Sequence, residues 1–500
     1  MANTKDSAST LPIASTGITG LDDILQGGLA RNRVFLLEGT PGTGKTTIAL
    51  QFLLEGRRAG EKGLYITLSE TADELASSAK SHGWSLDGIE IFELLPPESL
   101  LDEEQQQSLL YSSDLELGET TKRIFEAFEA AAPDRVILDS LSEIRLLAQS
   151  SLRYRRQILA LKHFFAKRQV TVVLLDDLTT ETTDKTVHSV AHGVLRLEEL
   201  APDYGSERRR LKVVKYRGQR YRGGFHDFVI ETGGVQVFPR LVSAEHKGGF
   251  KREVLSSTSA ELNALLGGGV ERGSSVLALG PAGSGKSILI LTFVANAIAR
   301  GEKAAIFLFD EERSLMIERS SSLNLDLAQM IADGGLTIEQ VDAAELSPGE
   351  FAHRVRKKID GGVKTIVIDS LNGYQAAMPQ ENALLLHIHE LLQYANRQGA
   401  TTFLSVAQHG LVGDMKSPVD LTYLADTVIL LRYFEALGRV RRAISVIKKR
   451  TSGHENTIRE YIIDKRGLTL GEPLINFHGV LRGVPTMVGD ETALLKAEPQ

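Results

Sequence analysis

The sequence predicts an α/β protein built twice, as two tandem domains that are each a mostly parallel sheet flanked by helices. Three observations carry that expectation. The motif G-x-x-x-x-G-K-[ST] occurs once in each half, as GTPGTGKT from Gly39 and as GPAGSGKS from Gly280. Each copy follows a short apolar run (VFLLE, VLALG) and opens an apolar segment of helical length (TIALQFLLEG, ILILTFVANAIA). Apolar strands then alternate with amphipathic helices through both halves, as parallel strands joined by helical crossovers require.

The two halves share one register. Lys45 and Lys286 stand 241 residues apart, and the same spacing pairs Leu21 with Leu262, Leu25 with Leu266, Gly28 with Gly269, Gly60 with Gly301 and Glu70 with Glu311. That is a repeat of whole domains, not of small units. Further along the offset shortens: DRVILDSLSE, with Asp139, matches KTIVIDSLNG, with Asp369, and LKVVKYRG matches SVIKKRTS. A proline and a Gly-Gly pair between Phe238 and Glu253 mark a linker. The expected organisation is a disordered N-terminus over 1–11, a first domain over 12–247, a second over 248–486, and a tail over 487–500. An insertion starting at Pro96, PPESLLDEEQQQSLLYSSDLELGE, reads as a solvated acidic loop with a short helix.

Composition sets the outer bounds. Five hundred residues, 42% of them hydrophobic, suffice for two or three sizeable cores. A net charge of −7 argues against a surface that seeks nucleic acid or anionic lipid throughout. The absence of cysteine excludes disulfides, thiol catalysis and cysteine-bound metals, and it fits a reducing cytoplasm. The N-terminus lacks the apolar core of a signal peptide, and no run approaches about 18 uncharged apolar residues. A soluble cytoplasmic protein with no membrane span is expected.

The glycine-rich loops carry the chemistry. Their glycines turn backbone N–H groups onto phosphate, the lysine reaches the β/γ-phosphates, and the following hydroxyl ligates Mg²⁺. The candidate ATP ligands of the first loop are Gly39, Thr40, Gly42, Thr43, Gly44, Lys45, Thr46 and Thr47. Those of the second are Gly280, Ala282, Gly283, Ser284, Gly285, Lys286, Ser287 and Ile288. Hydrolysis also needs a carboxylate in the metal shell, and Asp139 and Asp369 each end a run of three apolar residues. A further acid must orient or deprotonate the attacking group. Glu70 and Glu311 stand at matched positions past an apolar strand, where an acid also suits the first turn of a helix. Lys215 with Arg217, and Lys448 with Arg450, lie two apart on extended segments and so share a face. Such a pair suits a cation acting on the γ-phosphate of a neighbouring subunit, a solvated basic face, or nucleic-acid contact, since Arg208 to Arg222 holds eight Lys/Arg.

Together these features resemble KaiC, a family of circadian-clock ATPases and autokinases in the RecA-like P-loop class. The resemblance spans roughly residues 12 to 486 and includes an opening TGxxxLDxxLxGG, here Thr16 to Gly28. It implies a homohexamer of two stacked rings with ATP between subunits and Mg²⁺ held by Thr46, Asp139, Ser287 and Asp369. It also implies contacts in trans from Lys215, Arg217, Lys448 and Arg450, with His454 near the neighbour's nucleotide. A KaiB-like regulatory partner is a further implication. The family's adjacent catalytic glutamates are Ser69-Glu70 in the first repeat and Asp310-Glu311 in the second, so the catalytic acids expected are Glu70, Asp310 and Glu311. The adjacent Ser-Thr phosphoacceptors align with Thr422-Tyr423, which makes Thr422 the expected acceptor and Ser417 the alternative. Two other readings stay open: a nucleic-acid-dependent RecA-like motor, and a module that binds nucleotide with little turnover.

Overall fold

Runs such as VFLLEG and RVILD have no polar side, because both faces of the sheet they form are covered. The computed structural model describes residues 12–94, 109–178, 186–201, 205–246, 248–376, 384–408, 422–465, 467–482 and 485–487. The chain divides into two compact units between Arg240 and Leu241. That is a few residues before the Gly-Gly pair, because Leu241 sits in the second unit's core and Ser243 N–H donates to Glu390 at 2.8 Å.

The first unit holds nine strands: β1 (Val34–Gly39), β2 (Gly63–Thr67), β3 (Ile89–Glu93), β4 (Arg135–Asp139), β5 (Thr171–Asp177), β6 (Gly193–Leu200), β7 (Arg208–Tyr216), β8 (His226–Glu231) and β9 (Gly234–Phe238). Their order is β9-β8-β7-β6-β1-β5-β4-β2-β3. The six strands from β6 to β3 are parallel, and β6 to β9 form an antiparallel meander. Alternation splits the core in two. Phe35, Leu37, Tyr65 and Ile137 pack on the side of helix Lys45–Arg58, and Val34, Leu36, Leu64 and Val136 pack on the side of helix Ser151–Lys167.

The second unit repeats this plan with β10 (Ser275–Gly280), β11 (Lys303–Leu308), β12 (Leu336–Gln340), β13 (Val363–Asp369), β14 (Thr401–Ala407), β15 (Thr427–Ala436), β16 (Arg439–Lys449), β17 (Arg459–Asp464) and β18 (Gly467–Pro473). Its order, β18-β17-β16-β15-β10-β14-β13-β11-β12, is that of the first sheet strand for strand. The expectation of two RecA-like domains holds. The insertion differs from its reading in part: residues 95–108 lie outside the described residues, but from Leu109 the chain is a 23-residue helix to Ala131 rather than a short one. Ile124 and Phe128 from this helix join the core, which a solvated loop could not supply.

Candidate nucleotide sites

Each glycine-rich loop leaves the carboxyl end of its central strand, β1 or β10, and runs into a 14-residue helix. Gly42 and Gly44 have φ of 84° and 92°, and Gly283 and Gly285 have 73° and 93°. This left-handed backbone is natural only to glycine, and it aims successive N–H groups at one point ahead of a helix N-terminus. Gly44 is fixed a second way. A Cβ there would lie 2.5 Å from Ile230 Cδ1 on β8, and Ile463 on β17 closes on Gly285 in the same manner. The loops therefore fit phosphate and are braced by the antiparallel meander.

The lysines differ. Lys45 Nζ donates to Gly39 O (3.0 Å) and Thr40 O (2.9 Å) and pairs with Asp177 Oδ1 at 2.6 Å. Lys286 Nζ donates to Gly280 O (3.0 Å) and Pro281 O (2.9 Å). Burial pushes the Lys286 ammonium below its usual value, with the Asp369 charge opposing.

Asp139 and Asp369 end β4 and β13 on the face that carries the loop helix. In the first site the Tyr65 hydroxyl donates to Asp139 Oδ2 and also meets the Thr46 side chain. Burial raises the Asp139 carboxyl, the Tyr65 bond lowers it, Asp177 raises it and Lys45 lowers it. In the second site Ile306 stands where Tyr65 does. Among the described residues no group of three or more His, Asp or Glu could hold a metal alone. A hydroxyl and one carboxylate beside a phosphate cradle nevertheless suit Mg²⁺, which binds through one or two protein oxygens together with phosphate.

The other acids also differ between sites. Glu70 is half-buried; burial raises its carboxyl, with Asp139, Glu74 and Asp177 adding and Lys45 opposing. Asp310, at the place of Ser69, accepts from the Ser370 hydroxyl. Glu311 is clamped by the two terminal guanidinium nitrogens of Arg319, at 2.7 and 3.0 Å.

The Lys/Arg pairs lie elsewhere. Tyr216 is opposite Gly193 and Gly193 opposite Phe35, so the end of β7 meets the start of β1, not its loop. About 13 Å of strand, four residues at roughly 3.3 Å each, separates the two edges. Lys215 Nζ donates to His188 O and to Ala191 O (2.8 Å), and Arg217 Nη2 to Ser189 O (2.9 Å). The second unit copies this: Lys448 Nζ donates to Thr422 O and Ala425 O, both 2.8 Å, and Arg450 Nη2 to Tyr423 O (3.0 Å). Thr422 thus shares the amino edge with Lys448 and Arg450, and His454 follows in the irregular stretch after Arg450. Asp310, Glu311 and the loop occupy the opposite edge of the same sheet. Ser417 lies outside the described residues. The basic stretch from Arg208 is partly neutralised, with Arg209 on Glu199 (3.0 Å) and Arg210 and Lys212 on Glu198 (3.0 and 3.2 Å).

The family model described as "ATPase: KaiC" matches residues 14–242 and again residues 256–474. The chain belongs to the KaiC family. It is 29% identical to the circadian clock protein KaiC3 of Synechocystis over 485 residues, covering 94% of each chain. It is 28% identical to the circadian clock oscillator protein KaiC of Thermostichus vulcanus over 499 residues, covering 97% of this chain and 94% of that one. The corresponding KaiC of Synechococcus elongatus is 29% identical over 487 residues, with 95% and 92% covered. The molecule is a KaiC-type ATPase that binds ATP.

Sequence reasoning missed three residues of this KaiC-family chain. Asp177 ends an apolar strand, TVVLLDD, in the pattern that flagged Asp139, and could have been found by the same rule. Tyr65 is a polar tip in an otherwise apolar strand. Arg319 gave no signal, because its partner is set by how helix Arg313–Ser321 turns back on Glu311.

Proposed function

We propose that the chain assembles through its nucleotides into a cytoplasmic KaiC-type ring, hydrolyses Mg-ATP, and transfers phosphate to Thr422 of a neighbouring chain, as a clock-type timer or switch. One observation carries this reading. The Lys/Arg pairs sit at the amino edge of each sheet, with Thr422 beside the second pair, and the loops at the carboxyl edge, so none of these groups reaches the nucleotide of its own domain. The names of the relatives, which are clock proteins, support the timer role.

Each part has a job in this reading. The loop N–H groups and Lys45 or Lys286 would hold the phosphates, and Thr46 with Asp139, or Ser287 with Asp369, would hold Mg²⁺. The metal would supply neutralisation of phosphate charge. Glu70 in the first site, and Asp310 or Glu311 in the second, would orient or deprotonate the attacking oxygen. Lys215 and Arg217, or Lys448 and Arg450, would offset the charge that develops on the neighbour's γ-phosphate, a role worth roughly 10³–10⁵ in rate. The second site's acceptor is Thr422; the Tyr423 ring carries its oxygen several ångströms further out. A KaiB-like partner would read the phosphorylated state.

Two measurements test this. Particle mass by light scattering should rise to a hexamer with Mg-ATP and fall without it. Mass spectrometry after incubation should find phosphate on Thr422, and none in a Lys286→Ala chain. A species that stays monomeric at saturating Mg-ATP sinks the ring, and an unmodified chain that hydrolyses ATP leaves an ATPase without kinase activity.

A further inference from the structure

We propose that Asp177 sets the nucleotide affinity of the first site, as a built-in anion that competes with phosphate for Lys45. The strand register places it there. β5 pairs with β1 in parallel so that Asp177 is opposite Gly39, the first residue of the loop. Its carboxylate, 2.6 Å from Nζ, joins Gly39 O and Thr40 O as the third acceptor on an ammonium that has three protons. A phosphate oxygen can therefore bond Lys45 only by displacing a partner. Two of the three are carbonyls of the loop itself. The carboxylate is the one that can swing away, since the Asp177 side chain is 29% exposed against 8% for Lys45.

The second repeat is an internal control. Leu178 N–H donates to Gly39 O at 3.0 Å and Gln408 N–H to Gly280 O at 3.1 Å, so the two loops are flanked by equivalent strands. There Gly280 is opposite Ala407, whose methyl offers Lys286 nothing. Phosphate on Lys286 gains an ion pair, whereas phosphate on Lys45 exchanges one anion for another. The net Coulombic gain is smaller in the first site, and that site fills at higher nucleotide concentration. Asp177 acts this way within a single chain, whether or not rings form.

The test uses full-length chains and Mg²⁺ with the fluorescent nucleotide mant-ADP. In a Lys286→Ala background, Asp177→Asn should tighten binding about tenfold, the scale of one partly exposed charge contact. Asp177→Glu, which keeps the charge, should stay near the parent. In a Lys45→Ala background, Ala407→Asp should weaken the second site by a similar factor. Unchanged or weaker binding in Asp177→Asn, with unfolding curves matching the parent, overturns the proposal. If Asp177→Asn does not fold, the Ala407→Asp chain decides alone, and unaltered affinity there overturns it.

Discussion

Single acids distinguish the two sites, and Glu70 is one whose surroundings disfavour its charge. Burial and then the Asp139, Glu74 and Asp177 charges hold its carboxyl above the ordinary 4.5. A group with a raised value loses its charge earlier on acidification. First-site turnover, read in a Lys286→Ala chain, should therefore fall along an acid limb that lies above pH 4.5, and Asp177→Asn should move that limb downward by removing one repelling charge. A limb that ignores Asp177→Asn means that another group titrates. Ser69 gave notice in the sequence that this site had lost an acid. It gave no notice that Asp177 brings a carboxylate back on a different strand.

The antiparallel meander does more than close each sheet, because its strands brace the loops. His226, at the head of β8, is 1% exposed, and Arg240 N–H donates to its Nδ1 at 2.9 Å, so Nε2–H donates to Arg222 O at 2.9 Å. Burial pushes this imidazole down to about 4, with the Arg222 and Arg240 charges helping and the Arg222 backbone bond opposing. An unfolded chain protonates near 6.5. The contribution is thus present above pH 6.5 and lost as pH falls from there through about 4, reaching about 3 kcal/mol at most. Trp84, the single tryptophan, lies in the first unit and reports it alone. Its urea midpoint should drop between pH 7 and pH 5, and less so in His226→Asn, whose amide oxygen can still accept from Arg240. Equal drops in both chains would exonerate His226. The two loops were legible because glycine spacing, lysine and flanking apolar runs are local signals. The position of Lys215 and Arg217 was not, because only the β7–β6–β1 register, set by non-local pairing, puts them at the far edge from the loop.

Across the whole molecule, the proposed ring would make each chain carry two unlike halves of an active site, repeated twice. An Arg217→Ala chain and a Lys45→Ala chain should each be poor at first-site turnover. Mixed, they should recover part of it at junctions where an intact loop meets an intact cation, and a mixture no better than the mean of its parents refutes trans action. The fold's duplication was readable from the repeat register, whereas the strand order depends on non-local pairing and the insertion's long helix was hidden by its acidic, glutamine-rich start. The brace on the loops has one more consequence, and it concerns synthesis. On the ribosome the first glycine-rich loop emerges early, but Ile230, which closes on Gly44, follows almost a full domain later. A nascent chain therefore carries its phosphate cradle unbraced until the last hairpin of the first unit is out, and nucleotide can reward folding only at the end of each repeat.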